Sequence, residues 1–270
     1  MTLSSDDKIV TIADMRIEIR IIGNFDPQTP VLIFLHEGLG CAALWRNFPD
    51  LLCEKSGCAG LVYSRVGYGG SDSCDLPRPL DYMEREAFGS LPQLIEHFNI
   101  SRFILIGHSD GASIALVYAG IPGFPSPEAV IAMAPHVFCE DVSIDGIKAA
   151  KRAYEAGALK SKLKKFHGNN IECAFRGWND AWLDPAFKEW SIEKFLPAIT
   201  APTLAIQGQD DNYGTLAQIG TIENAVTGQF EKLVLSDCGH NPWQEKQNDV
   251  LPRIADFIEG RTGRKVGGNI

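Results

Sequence analysis

The sequence predicts an α/β fold: a mostly parallel, twisted sheet with helices on both faces and a helical cap insertion over one end. Three observations carry this expectation. Six short runs, at 31–35, 60–63, 103–106, 130–134, 203–206 and 232–235, are apolar along nearly their whole length. Strands that are apolar on both faces belong in a sheet covered on both sides, hence a mostly parallel one. Helical patterns alternate with these runs, the arrangement that right-handed crossovers produce. The alternation then stops between 136 and 197, where no strand pattern is visible.

Taken in order, residues 8–12 and 15–22 carry period-2 or β-branched patterns around Ala13-Asp14, which predicts a hairpin. The run VLIFL at 31–35 and the run at 60–63 are the first strands covered on both faces. The segment 84–98 places Ala87, Leu91, Leu94, Ile95 and Phe98 at helical spacing. After the strand at 103–106, residues 112–119 are small and apolar enough to pack under the sheet, and 216–225 and 249–258 read as amphipathic helices. The segment 136–197 holds two helical patterns, at 144–156 and 159–166, and then an aromatic-rich run at 175–190. It exceeds a normal connection and has its own secondary structure. Phe175, Trp178, Trp182 and Trp190 need a surface to pack against, so the segment is expected to lie over the sheet as a cap. The division is a core of 1–135 plus 198–270 and a cap of 136–197. The tail at 260–270, rich in glycine and basic residues, reads as frayed.

Composition narrows the functional classes. A chain of 270 residues buries roughly three quarters of its unfolded surface and needs no disulfide or metal to fold. Net charge is −9, which argues against binding nucleic acid or an anionic membrane surface. No apolar run reaches the length of a membrane span, and the first ten residues lack a signal-peptide pattern. Seven scattered cysteines suit reduced thiols, and a cytoplasmic location is expected. No Cys-x-x-Cys pair and no zinc-ligand spacing is present, so no metal or other cofactor is expected.

The chemistry-bearing signal is Gly107-His108-Ser109-Asp110-Gly111, set between an apolar strand and a small-residue helix. A G-x-S-x-G segment in that context presents its serine on a sharp, strained turn, with the two glycines removing side chains that would collide with neighbouring backbone. The helix that follows points its N-terminal N–H groups and positive dipole end at the same spot. Serine is a weak nucleophile without a base. Of the six histidines, His108 is inside the turn and faces away from its neighbour, His36 ends a strand, and His97 lies on a polar helix end. His136 and His167 fall in the cap segment. His240 sits on a glycine-containing loop after the last apolar run, at the sheet end where open α/β sheets bind ligands, and is the expected general base. Its partner acid is Asp210 or Asp211, adjacent carboxylates after the strand at 203–206, of which only one can aim at the ring.

With these anchors the chain resembles the α/β-hydrolase superfamily, in its cap-bearing serine hydrolase branch. The anchors are Leu35-His36-Glu37-Gly38-Leu39-Gly40, Gly67-Tyr68-Gly69-Gly70-Ser71-Asp72, the turn at Ser109, Gly208 to Asp211, and Gly239-His240. The likeness covers roughly residues 8–259, and the order Ser, Asp, His along the chain is that superfamily's order. It implies Asp211 as the acid and the backbone N–H groups of Gly38 and Asp110 as an oxyanion hole. His36 then anchors its loop. In two places the chain departs from the family pattern. Glu37 stands where the family commonly has glycine, and Arg65 adjoins Ser64 where the family often has an aspartate. Arg65 is expected to neutralise the Glu37 carboxylate, in which case Arg65→Ala would harm catalysis more than folding.

The family includes carboxylesterases, lactonases, thioesterases and C–C bond hydrolases. A pocket walled by Trp45, Phe138 and Trp243, with Trp178 and Trp182 from the cap, would suit a small, mostly apolar acyl or aryl group; Phe138 and Trp182 are the expected substrate contacts. The expected activity is cleavage of a small carboxylic ester, lactone or thioester through an acyl-enzyme on Ser109, which peroxide could also intercept. Activity should then fall on the acid side as His240 takes up a proton. A C–C hydrolase of ring-cleavage products is the alternative, with Arg65 or Arg176 to receive the acid, although the negative net charge disfavours it. A non-catalytic small-ligand receptor on the same scaffold is another. Exposed cap aromatics would equally serve as a surface for homo-oligomers.

Overall fold

The computed structural model describes residues 5–262. Eight strands among the described residues form one sheet in the order β1-β2-β4-β3-β5-β6-β7-β8. They are β1 (Ser5–Ile12), β2 (Met15–Ile22), β3 (Val31–Leu35), β4 (Gly60–Tyr63), β5 (Phe103–His108), β6 (Ala129–Met133), β7 (Thr203–Gly208) and β8 (Phe230–Leu235). β1 pairs antiparallel with β2, and β2 antiparallel with β4; β4, β3 and β5 to β8 are mutually parallel. The hairpin turns at Ala13 and Asp14, both with positive φ, the backbone twist that a two-residue hairpin loop requires. Every residue of β3, β4, β5, β6 and β7 is buried, whereas β8, an edge strand, is largely half-exposed.

The helices are α1 (Phe48–Ser56), α2 (Tyr82–Arg85), α3 (Leu91–His97), α4 (Asp110–Ala119), α5 (Asp141–Glu155), α6 (Ala158–His167), α7 (Ile171–Leu183), α8 (Ala217–Ala225), α9 (Pro242–Glu245) and α10 (Gln247–Thr262). Alternate residues of each central strand enter two separate cores. Leu32, Phe34, Ile104, Ile106, Ile131 and Leu204 join α1 and α10 on one face. Val31, Ile33, Leu105 and Val130 join α2, α3 and α4 on the other, together with the apolar residues of α5 and α7. Period-2 alternation in a sheet covered twice leaves no polar face, which is why these strands read as continuous apolar runs.

Two expectations need correction. The helix over 84–98 runs without a gap but is not a regular α-helix throughout: between α2 and α3 it widens into a π-helical turn at Glu86–Ser90. Pro92 has no N–H to give the preceding turn and its ring crowds that turn, so the ladder widens just before it. At the other end, α10 continues through Gly260 to Thr262, while 263–270 lie outside the described residues.

The insertion between β6 and β7 carries α5, α6 and α7. Its aromatics are buried within the chain: Phe175 stacks on Tyr154 at 3.6 Å, and Trp182 packs against Phe187 and Trp190. Phe175, Trp178, Trp182 and Trp190 are all below a tenth exposed. His167, at the end of α6, accepts from the Gly69 N–H and donates to the Leu39 carbonyl, pinning the insertion to two loops of the core.

β3 and β5 are neighbours although β4 lies between them in sequence, so the connections leave the sheet in opposite directions there. The crevice at such a switch point is where open α/β sheets take ligands. α4 reaches it by an unusually close approach. A Cβ on Gly111 would sit 2.0 Å from the Leu35 carbonyl oxygen, and one on Gly107 would sit 2.4 Å from the Ala112 Cα. Gly111→Ala should therefore lower stability by about 3 kcal/mol, read as a drop in thermal midpoint; a midpoint unchanged within a degree or two would show that α4 can move away at no cost.

Candidate active site

Ser109 occupies the turn between β5 and α4 with φ 53° and ψ −121°, a strained backbone that lifts its side chain free of both elements. Its N–H donates to the Met133 carbonyl, which fixes the turn against β6. Ser109 Oγ lies 2.9 Å from His240 Nε2. His240 Nδ1 lies 2.8 and 2.9 Å from the two carboxylate oxygens of Asp211. One hydrogen-bonded line thus joins residues from the ends of β5, β7 and β8. Asp211 meets the ring, and Asp210 is exposed. Asp211 also accepts from Gln207 Nε2 and from the Tyr213 and Gly214 N–H groups. Burial alone would raise its pKa, but the His240 ring and these donors outweigh burial and hold the carboxyl below its ordinary value. Gln207, at the end of β7, is a positioning contact that its place in an apolar run gave no reason to expect.

A cavity of about 170 Å³ opens over Ser109, lined by Gly38, Leu39, Asp110, His136, Ile147, Trp178, Trp182 and Tyr213, with Glu37, Ser143, His240 and Asn241. Gly38 and Asp110 thus share the cavity wall with Ser109. The insertion makes glycine necessary at 38, because a Cβ there would lie 2.2 Å from the Trp178 indole. Trp182 lines the cavity; Phe138 does not. The backbone of Phe138 is held on both sides, by the Gln218 side chain and by a bridge to Ser191, and its ring packs half-buried against the core. Trp45 and Trp243 are also absent from the walls. They pack on each other and on Phe48 in the core beneath the turn. His136, Ser143, Ile147, Tyr213 and Asn241 line the cavity without having been expected there, because they come from separate loops and helices with no shared pattern in sequence.

The loop bearing Gly38 rests on a buried polar network. His36 Nδ1 donates to the Glu37 carbonyl and its Nε2 accepts from the Arg65 N–H, so the ring holds one tautomer. The Arg65 guanidinium donates to the Glu37 carbonyl at 2.9 Å and lies 3.9 Å from the Asp110 carboxylate. Asp110 also accepts from the Tyr82 hydroxyl at 2.5 Å, and that hydroxyl accepts from Trp182 Nε1 at 3.0 Å. Burial pushes Asp110 upward, and Arg65 and Tyr82 only partly offset it.

The expected pairing of Arg65 with the Glu37 carboxylate is therefore corrected. Arg65 reaches Glu37 only through the backbone, while the carboxylate turns to within 3.5 Å of His108 Nδ1. Burial raises the Glu37 carboxyl, yet His108 and Arg65 bring the net shift below its ordinary value. His108 sits under the turn, its Nε2 2.7 Å from the His240 carbonyl and its Nδ1 accepting from Trp243 Nε1. Arg65 is buried against Asp110, so Arg65→Ala strands a buried carboxylate. It should cost about 3–5 kcal/mol of stability, measured by urea unfolding, which reverses the expectation that catalysis suffers more than folding. A loss under about 1 kcal/mol would mean Asp110 finds another partner.

Residues 32–252 match the model of the alpha/beta hydrolase family. The chain belongs to this family. Two relatives are hydrolases by name. Epoxide hydrolase 3 of Xenopus tropicalis is 22% identical over 93% of this chain and 77% of that protein. A proline iminopeptidase of Lactobacillus helveticus is 23% identical over 89% of this chain and 93% of that one. Among solved structures, an esterase from Exiguobacterium antarcticum superimposes with a TM-score of 0.75 at 16% identity, covering 94% of this chain and all of the other. That likeness is one of α/β-hydrolase fold. No helix among the described residues is long and apolar enough to cross a membrane.

Stability should depend on pH through three buried imidazoles. Burial lowers His36 well below the ordinary value, lowers His136 to about 3, and lowers His167. Below an unfolded pKa of about 6.5 the unfolded chain takes up protons that these folded rings refuse. Stability is then complete above that pH and declines as pH falls, by up to about 1.4 kcal/mol per pH unit for each ring. Unfolding midpoints measured from pH 7.5 to 5 should drop continuously; a flat profile would contradict the neutral assignment.

Proposed function

We propose that the protein is a serine hydrolase that cleaves a small, mostly apolar, uncharged carboxylic ester, or a lactone or thioester, through an acyl-enzyme on Ser109. The observation that carries this reading is the unbroken line from Ser109 Oγ through His240 to Asp211, opening into a cavity walled by Trp178, Trp182 and Ile147.

The chemistry follows from the donors and acceptors in place. Asp211 holds the His240 proton on Nδ1, leaving Nε2 to accept from the serine hydroxyl. As Oγ attacks the carbonyl carbon, its proton passes to Nε2, and the charge on the carbonyl oxygen falls to the N–H groups of Gly38 and Asp110. His240 then gives that proton to the leaving alcohol. Water enters, loses a proton to the same Nε2, and attacks the acyl carbon to release the acid and restore Ser109.

The cavity walls favour an uncharged substrate. Among the described residues no lysine or arginine lines the cavity. Arg65 is buried beneath the loop, and Arg176 points outward, paired with Glu172 and Asp180. The two cations that could have received the acid of a ring-cleavage product are thus engaged elsewhere, which weakens the C–C hydrolase reading. A serine at 109 likewise argues against epoxide opening, which in this superfamily resembles aspartate-nucleophile chemistry.

A fluorophosphonate probe should label Ser109 and leave Ser109→Ala unmarked; an unlabelled wild type would favour a small-ligand receptor. p-Nitrophenyl esters of increasing acyl length, run beside a ring-cleavage dienoate, should give turnover on the short esters and none on the dienoate. The opposite pattern would overturn the ester reading. Asp211→Asn should lower kcat by about 10⁴ in the same assay while leaving the fold intact by circular dichroism.

A further inference from the structure

His136 is a second imidazole in the cavity, and the Ser109 mechanism does not use it. It follows β6, is 2% exposed, and lines the cavity together with Ser109 and His240. Its backbone is clamped on both sides by one hydroxyl: Ser113 Oγ donates to the His136 carbonyl at 2.5 Å and accepts from its N–H at 3.2 Å. The ring is set edge-on against Trp182, with centroids 5.0 Å apart, and lies tilted beside His240 at 5.6 Å. Backbone and ring are therefore held in place. Yet Nδ1 is buried without a partner, and no hydrogen bond among the described residues uses either ring nitrogen. Two cavity polar groups, Ser143 and His240, are already engaged. Ser143 Oγ donates to the Tyr213 carbonyl, and His240 is committed to Ser109 and Asp211.

Nδ1 packs against Gly214, out of reach of the cavity, so the ring meets a cavity occupant through Nε2, and a rigid imidazole nitrogen left without a partner costs stability unless an occupant satisfies it. Its charge state selects what that partner is. Burial holds the ring neutral, with its pKa lowered to about 3, so Nε2 presents either an N–H donor or a nitrogen acceptor, set by the tautomer, and the ring has no positive charge to attract a carboxylate. A hydroxyl or keto oxygen matches that offer.

We propose that His136 is a specificity-determining residue that hydrogen-bonds a neutral hydroxyl or keto oxygen of the substrate, which makes the preferred substrate an oxygenated ester. The inference rests on the serine hydrolase reading and narrows its substrate class: the body of the molecule packs on Trp178, Trp182 and Ile147, and a single oxygen meets the imidazole.

The test compares p-nitrophenyl butanoate with its 2-hydroxy, 3-hydroxy and 3-oxo analogues, and ethyl butanoate with its 2-hydroxyethyl ester. In the wild type at least one oxygenated ester should exceed its plain counterpart about tenfold in kcat/KM, the worth of one good hydrogen bond. His136→Leu should bring that ratio close to one, and His136→Gln, which retains a donor and an acceptor, should keep part of it. His136→Phe, with a ring to rest on Trp182, takes the place of the leucine variant should that one not fold. A wild-type ratio within about twofold of one for every pair overturns the proposal, because a hydrogen bond gained in the transition state exceeds that. So does a preference that survives in the apolar variants, or a fall in both esters by the same factor, which would mark His136 as a structural support for His240. Absence of turnover on every ester, with no fluorophosphonate label on Ser109, would be the failure of the serine hydrolase reading itself.

Discussion

The site depends on how closely one helix start is driven into the sheet. α4 begins at the residue after Ser109, and its first turn touches the carbonyl of Leu35 at the end of β3. Only glycine at 107 and 111 allows that approach. The resulting turn forces Ser109 into its positive-φ conformation beyond the C-terminal end of β5. It also brings the N-terminus of α4 and the loop after β3 to the same side of that oxygen. Backbone close-packing therefore positions the hydroxyl, and the partners of Ser109 come from the ends of β7 and β8, which the parallel sheet delivers to the same crevice.

Around this turn, polar groups are buried in a connected set. Trp182 of the insertion donates to Tyr82, Tyr82 donates to Asp110, Asp110 faces Arg65, and Arg65 supports His36 and the carbonyl of Glu37. His167 joins the insertion to Leu39 and Gly69 from a second direction. The insertion is thus coupled to the loop bearing Gly38 by directional bonds as well as by the contact of Trp178 with Gly38. Buried polar groups that are paired in this way confer rigidity, because breaking any one bond leaves a neighbour desolvated and unmatched.

Much of this was legible in the amino-acid order. The apolar runs located β3 and β4 to the residue and the later strands to within a few positions, because strands covered on both faces carry an unambiguous pattern, and the period-2 pattern located β2. Ser109 and His240 stood out by local context, and the choice between Asp210 and Asp211 needed only the direction of one side chain. The misses arose at two ranges. The π-helical turn at 86–90 follows from nearby Pro92, whereas the others came from partners distant in sequence. Phe138 was placed in the wall by its position after β6, but Gln218 and Ser191, distant in sequence, hold it aside. The tryptophans at 45 and 243 found one another under the turn, an encounter between the start and the end of the chain. The carboxylate of Glu37 chose His108 over Arg65 because Arg65 was already drawn to Asp110.

By itself, then, the sequence determined the sheet, the strained turn, and which hydroxyl and which imidazole meet, since each is encoded by residues adjacent in the chain: a periodicity, a pair of glycines, a short loop. Only the tertiary structure decided which carboxylate meets His240, which aromatics face the cavity, and that His136 stands beside His240 with its nitrogens unmatched. Those outcomes depend on competition among side chains brought together from distant parts of the chain, and a buried polar group takes whichever partner relieves its desolvation, wherever in the chain that partner lies.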